Sequence, residues 1–244
     1  MRGGARFPVR LRYTKRGKVR FLGHRDLARN LERAFRVTRL PLAFSEGFSP
    51  HPKISFGLAL TTGFESDAEY LDVDFREAVD LEALPAALST ELPEGITVAD
   101  AAWLDDRAPA LQEAVTAVVW EVPVTDQHGE PAGAAALRAA VSAALAAETL
   151  ECTQVRKGRS TIVDIRPLIR RLAIVNQTDR DPRVLLMDLA TVPKGAKPGE
   201  VMPALGPFTA DRGVRTHQFI ERDGVRYEPL DVDTRARVAH AVAS

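Results

Sequence analysis

The sequence predicts an α+β protein made of two tandem ferredoxin-like units, each with an antiparallel sheet. Alternating apolar and polar residues indicate strands, and apolar residues spaced three and four apart indicate helices. In the first hundred residues these segments follow the order strand, helix, strand, strand, helix, strand. A length of 244 residues accommodates two such units. We therefore expect domains at residues 1–104 and 114–226, a linker at 105–113 and a C-terminal tail at 227–244.

The first predicted unit begins with alternating residues 7–13 and remains extended at 19–22. A helix follows and ends before Pro41, because proline is poorly tolerated inside a helix. Its apolar face comprises Leu27, Leu31, Ala34 and Phe35, and another face carries Arg25, Arg29, Arg33 and Arg36. Further strands are predicted at 42–44, 53–60, 70–75 and 96–98, and a second helix at 81–92.

The second unit is predicted from a similar but looser pattern. Its strands are expected at 115–124, 161–165, 172–175 and 184–189, and its helices at 134–147 and 198–205. In the tail, residues 233–242 have the pattern of a short helix.

Composition excludes several classes of protein. Lys and Arg equal Asp and Glu at 33 each, so the chain as a whole is not a basic nucleic-acid binder. The single cysteine, Cys152, excludes a disulfide framework and a cysteine-rich metal site. The sequence has neither an apolar run of membrane-spanning length nor a secretory signal. We expect a cytoplasmic protein with no membrane partner.

The zero net charge conceals an uneven distribution. Residues 1–57 contain fourteen Lys/Arg and three Asp/Glu, whereas residues 58–150 contain three and eighteen. Residues 151–244 contain sixteen and twelve. Such asymmetry indicates how a protein attracts its partners. The first segment is therefore the candidate phosphate-attracting region, although an arginine-rich solvated face is the common alternative.

Two unusual blocks lie in that segment. The first is residues 18–27 (KVRFLGHRDL) and the second is residues 42–57 (LAFSEGFSPHPKISFG), with residues 69–72 (EYLD) further on. Together they resemble the radical-SAM-linked (radical SAM-associated) domain family of unknown function, in its stand-alone form. The resemblance implies a B12-binding radical SAM protein as the partner.

The loop at residues 45–52 is a candidate anion site. Gly47 permits positive φ and the two prolines stiffen the loop. Its backbone N–H groups and polar side chains are suited to phosphate, and Phe48 to stacking on a base. Candidate RNA or phosphate ligands here are Arg20, His24, Arg25, Arg29, Ser45, Gly47, Phe48, Ser49, His51 and Lys53. The alternative is an ordinary strand connection whose Phe48 lies in the core.

Two further candidates are weaker. His24 lies at the start of a helix, and one hypothesis is that it acts with His51 and Glu46 in acid–base chemistry. Two histidines are poor evidence for a metal site, so no metal is expected. In the second unit, Asp164 and Arg166 are predicted to share a strand face. Candidate RNA contacts there are Arg156, Lys157, Arg159 and Arg166, with a solvated turn as the alternative.

We expect an accessory RNA-binding module that presents tRNA or rRNA to a separate radical SAM enzyme for modification or processing. The chain has no Cys-x-x-x-Cys-x-x-Cys, no phosphate-binding glycine loop and no nucleophile elbow, so neither a cofactor nor catalysis is expected. One alternative is an RNA-modifying or RNA-cleaving enzyme that uses His24, Glu46 and His51. Another is a protein-interaction adaptor that docks through the acidic middle of the chain, around Asp72 and Asp74.

Overall fold

A computed structural model gives the structure of residues 6–156, 158–175, 183–192, 195–210 and 212–235. Within these ranges the fold is α+β, with antiparallel strand pairs and five α-helices. The chain divides into two compact units, one of Met1–Val115 with Phe219–Ser244 and the other of Thr116–Gln218. Over the described ranges, no helix is both long and apolar enough to cross a membrane.

The first unit contains four strands in its N-terminal part, followed by a short helix. Its elements are β1 (Phe7–Lys15), α1 (His24–Val37), β2 (Ile54–Phe56), β3 (Glu65–Phe75), α2 (Leu84–Glu91), β4 (Ile96–Trp103) and α3 (Leu111–Ala114). The strand order is β4–β1–β3–β2, and each neighbouring pair is antiparallel.

Helix α1 forms because its apolar residues fall on one side. Leu27, Leu31, Ala34 and Phe35 are all buried in the core of the first unit, as predicted. The opposite side keeps its arginines in solvent. The helix ends at Val37, and Arg39, two residues further on, has a φ of 55° outside the helical region. Helix α1 therefore presents a basic outer surface above a buried apolar one.

The second unit contains β5 (Ala117–Asp126), α4 (Ala134–Ala146), β6 (Glu151–Arg156), β7 (Arg159–Asp164), β8 (Ile169–Ile174), β9 (Arg183–Ala190), α5 (Pro198–Leu205) and β10 (Phe208–Thr209). Strand β9 pairs with β8 and β5, and β10 pairs with the end of β5. Strands β6 and β7 form a separate hairpin. Helix α5 matches its predicted bounds.

Several predicted strands of the first unit differ in the structure. Residues 19–22 were expected to be extended, but Gly17–Phe21 forms a 3-10 helix because the chain turns there towards α1. Residues 42–44 form only isolated bridges, Leu42 to Phe75 and Phe44 to Pro52. Strand β2 is shorter than predicted, whereas β3 and β4 are longer.

Two strands near the C-terminus were not predicted. Strand β11 (Val214–Arg222) turns at Asp223 and Gly224, both with positive φ, and β12 (Val225–Tyr227) pairs back with it. The division of the structure therefore differs from the predicted boundary at residue 226, since residues 219–235 pack with the first unit.

The described part of the predicted tail is held by hydrogen bonds. The Asp105 N–H donates to the Asp233 carbonyl at 2.8 Å, and the Arg235 N–H donates to the Trp103 carbonyl at 2.8 Å. Residues 233–235 are not helical, and the rest of the helix predicted at 233–242 lies outside the described residues.

Candidate nucleic-acid interface

Much of the positive charge of the first segment is neutralised inside its own unit. The antiparallel register places Arg10 of β1 opposite Asp72 of β3. The Arg10 guanidinium is fully buried and donates to both carboxylate oxygens of Asp72, at 2.7 and 2.9 Å. Its remaining terminal nitrogen donates to the Pro229 carbonyl at 3.2 Å. Arg6 likewise pairs with Asp74 at 2.8 Å. Arg10 therefore holds the sheet together and is not available to a ligand, whereas Arg6 remains about half exposed beside Asp74.

The far end of β1 repeats this pattern. Arg16 forms a two-pronged ion pair with Asp67 and also contacts Glu65 at 3.4 Å. Arg12 donates to the Asp67 carbonyl at 3.1 Å and lies 3.7 Å from the Glu228 carboxylate. Acidic residues at both ends of β3 therefore pair with basic residues in β1 and in the residues that flank it.

Lys15 is a buried cation at the same end of the sheet. Its ammonium donates to the Leu22 carbonyl at 2.8 Å and to the Arg20 carbonyl at 3.4 Å. Burial lowers the pKa of Lys15, and the nearby Glu69 carboxylate partly opposes that shift. Lys15 thus fixes the backbone between β1 and α1, the segment that leads to His24.

The arginines of α1 contrast with those of β1. We call Arg25, Arg29, Arg33 and Arg36 the arginine face; all four are exposed. Arg29 has only a surface pair with Asp26 at 3.4 Å, and Arg33 donates to the Glu91 carbonyl at 3.3 Å. Among the described residues, Arg25 and Arg36 meet no carboxylate. Exposed pairs are weak, so this face retains its positive potential.

The predicted loop is a closed structure with an exposed tip, and we call residues 45–51 the tip loop. At its base the Ser45 N–H donates to the His51 carbonyl at 2.8 Å, and the His51 N–H donates to the Ser45 hydroxyl at 3.0 Å. Gly47 has a φ of 129°, which favours glycine. Phe48 is 111% exposed, so the alternative that it lies in the core is wrong.

Other predicted residues near the loop are also accessible. Ser49 and Lys53 are exposed, and among the described residues Lys53 has no acidic partner. The loop is anchored to β3, because the Asp74 N–H donates to the Lys53 carbonyl at 3.0 Å. The tip loop therefore extends from the edge of a rigid sheet and carries its aromatic ring into solvent.

Two exposed aromatic residues were missed by the sequence analysis. Phe21 is 62% exposed, and the Arg20 guanidinium lies 4.6 Å from its ring centroid. Arg20 also contacts Glu65 at 3.7 Å, so it is partly neutralised. Phe44 precedes the tip loop and is 47% exposed. Phe21 was expected in a strand, but it is the last residue of the 3-10 helix.

The proposed acid–base residues make other contacts in the described part of the chain. The His24 ring packs edge-on against Phe56, with a centroid distance of 4.9 Å. His51 contributes backbone hydrogen bonds to the loop base, and Glu46 is exposed on the tip. Across the described residues, neither histidine side chain hydrogen-bonds to a carboxylate, and no cluster of three metal-ligating side chains is present.

The candidates of the second unit are not brought together in one site. Arg166 donates to the Leu145, Ala147 and Ile169 carbonyls, at 2.9, 3.2 and 3.3 Å, and so stabilises the C-terminus of α4. Arg166 and Asp164 were predicted to share a strand face, but Arg166 lies in a 3-10 helix. The Arg166 N–H instead donates to the Asp164 carboxylate. Arg159 is exposed on β7. Lys157 and the side chain of Arg156 lie outside the described residues.

Comparison with known families identifies the chain. A family model described as "Uncharacterized protein conserved in bacteria (DUF2344)" matches residues 8–197, and the chain belongs to this family. A search of curated proteins finds no match.

Among solved structures, the chain matches a dye-decolorizing protein from V. cholerae at 9% identity, covering 85% of this chain and 91% of the other. The TM-score is 0.19, so this match carries no argument about fold or function.

Proposed function

We propose that the protein is an accessory RNA-binding module that recognises tRNA or rRNA for a separate radical SAM enzyme. The observation that carries the proposal is the arginine face, whose cations remain solvent-facing while those of β1 are paired. Four exposed arginines along one helix are suited to successive phosphates of a nucleic-acid backbone.

The tip loop supports a single-stranded target. Phe48 is fully exposed, and its ring is suited to stack on an unpaired base. Sequence-specific recognition of RNA usually involves loops and bulges, whose bases are unstacked. The Ser45–His51 closure stabilises the loop before any ligand arrives, which lowers the entropic cost of binding.

The enzyme partner and the location are the less direct parts of this proposal. The support for a B12-binding radical SAM partner is the resemblance of residues 18–27 and 42–57 to the radical-SAM-linked domains. A cytoplasmic location is proposed because the substrate RNA is found there. Size-exclusion chromatography of the chain mixed with such an enzyme, without RNA, tests the partnership.

The ferredoxin-like class of both units is likewise a proposal. In the first unit the order β4–β1–β3–β2 with α1 and α2 as connections supports it. In the second unit β5, β8, β9 and β10 repeat that pairing pattern, with the β6–β7 hairpin inserted after α4.

Fluorescence anisotropy with a labelled single-stranded RNA, and with a duplex of the same sequence, tests RNA binding. If all four arginines contact phosphates, the logarithm of affinity should fall with the logarithm of salt concentration with a slope of about −3. The single strand should bind more tightly than the duplex. Absent binding, or binding that is insensitive to salt, overturns the proposal.

A further inference from the structure

The first unit also contains a segment whose net charge is opposite in sign to that of the arginine face, although Asp105 and Asp106 of this segment pair with Arg235. Residues 77–106 contain eight acidic residues and no lysine or arginine. Helix α2 and strand β4 come from this segment and border a cavity of about 700 Å³, within the size range of ligand-binding clefts.

The walls of this cavity are mainly apolar. They include Val79, Leu81, Pro85, Ala86, Ala101 and Trp103. Asp80, Glu82 and Asp100 add carboxylates to the same lining. Asp80 also accepts the N–H of Glu82 at 2.9 Å, so it stabilises the turn into α2. The result is a groove with apolar walls and acidic groups.

The edge of β4 is already occupied by local hydrogen bonds. The Val98 N–H donates to the Ser89 hydroxyl at 3.0 Å, and the Ala101 N–H donates to the Asp100 carboxylate at 2.8 Å. The Trp103 carbonyl accepts the Arg235 N–H. A partner therefore has few backbone groups available for adding a strand, and side chains must carry the recognition.

We propose that this groove binds a basic peptide segment of a partner protein. Arginine or lysine side chains of the segment meet Glu82 and its neighbouring carboxylates, and an apolar side chain enters the cavity. Charge complementarity selects this occupant, because the carboxylates repel RNA phosphates. An acidic docking face was predicted around Asp72 and Asp74, but these residues pair with Arg10 and Arg6.

A fluorescein-labelled peptide of alternating arginine and leucine is the probe, measured by anisotropy at about 150 mM salt. A peptide with glutamate in place of arginine controls for apolar binding. Ala86→Arg places a cation and extra volume in the groove, whereas Ala87→Arg makes the same change at an exposed neighbour outside the lining. We expect Ala86→Arg to raise the peptide Kd by about tenfold or more, and Ala87→Arg by less than about twofold. Glu82→Gln should raise it by about two- to fivefold.

Equal weakening by the two arginine variants overturns the proposal, because it indicates a general charge effect. Self-association that Ala86→Arg abolishes in sedimentation also overturns it, since the occupant is then a second copy of the chain. RNA affinity should be the same in both variants. The proposal of peptide binding in the groove and the proposal of RNA binding at the arginine face can therefore be overturned independently.

Discussion

The basic residues of β1 and those of α1 come from the same short stretch of sequence but have opposite environments. Arg10 is buried and bound to Asp72, a residue 62 positions away, whereas Arg25 and Arg36 are exposed. For Arg10 the difference arises from register, because the antiparallel pairing of β1 with the acidic strand β3 places Asp72 directly opposite it. Positive charge in a sequence therefore stays exposed to solvent only where the fold does not bury it against an acid.

The largest loss of stability should come from removing the buried ion pair between Arg10 of β1 and Asp72 of β3. Arg10→Met leaves Asp72 without its partner in a largely buried position, and we expect a loss of roughly 3–5 kcal/mol in the free energy of unfolding. Urea denaturation followed by circular dichroism measures it. Arg36→Met is the control from α1 and should change stability by no more than about 0.5 kcal/mol. Similar losses for both variants would remove the distinction between the two regions.

Tyr70 is a buried residue of the sheet whose contribution to stability can be measured in the same way. Its hydroxyl donates to Glu228, the same carboxylate that Arg12 approaches. Tyr70→Phe should cost about 1.5–3 kcal/mol, because a hydrogen bond to a charged group is lost. Tyr227→Phe, a change at a partly exposed tyrosine, is the control in the same denaturation experiment.

The same tyrosine predicts a pH dependence. Burial, followed by the bond to Glu228, raises the pKa of Tyr70 above its ordinary value of 10.0. Its contribution to stability is therefore complete below pH 10.0 and is lost as the pH rises towards the folded-state pKa. Tyr70→Phe should lack this alkaline loss, and an unchanged pH profile would contradict the assignment.

Substitutions of Phe48 test whether the exposed tip loop contributes to RNA binding. Phe48→Ala should weaken binding of single-stranded RNA by about 1–3 kcal/mol, the usual value of one aromatic–base stack. Because the ring is exposed, thermal stability should not change. Phe48→Trp retains an aromatic surface and should retain the affinity. Loss of stability in Phe48→Ala without loss of affinity would assign the ring a structural role.

The smallest expected effect is the change in stability with pH that comes from the titration of Lys15. Its lowered pKa means that the unfolded chain binds this proton more tightly, so stability should rise as the pH passes the folded-state pKa towards 10.5. Lys15→Met should remove that rise. Urea denaturation in a Tyr70→Phe background separates the two titrations, and a rise that persists in the double variant would rule out Lys15 as its source.

The sequence predicted the helices and strands that have clear periodicity, but it predicted fewer of the short strands and side-chain contacts. The 3.6-residue pattern of α1 placed its buried side chains correctly. Strand β12 was missed, although Asp223-Gly224 is a typical hairpin turn. The ion pairs of β1 could not be predicted, since they depend on a register between segments about sixty residues apart. The tip loop was recognisable from its glycine and prolines, but whether Phe48 is exposed depends on tertiary packing.

The most direct test compares two double variants of equal charge. Arg25→Gln with Arg29→Gln changes the arginine face, and Arg12→Gln with Arg16→Gln changes the end of β1 and the residue after it; each double variant removes two positive charges. Salt-dependent anisotropy with single-stranded RNA should show a slope reduced in magnitude by about 1.4 for the α1 variant and unchanged for the β1 variant. Equal reduction in both would contradict the account, because it would mean that RNA responds to net charge and not to the exposed face of α1.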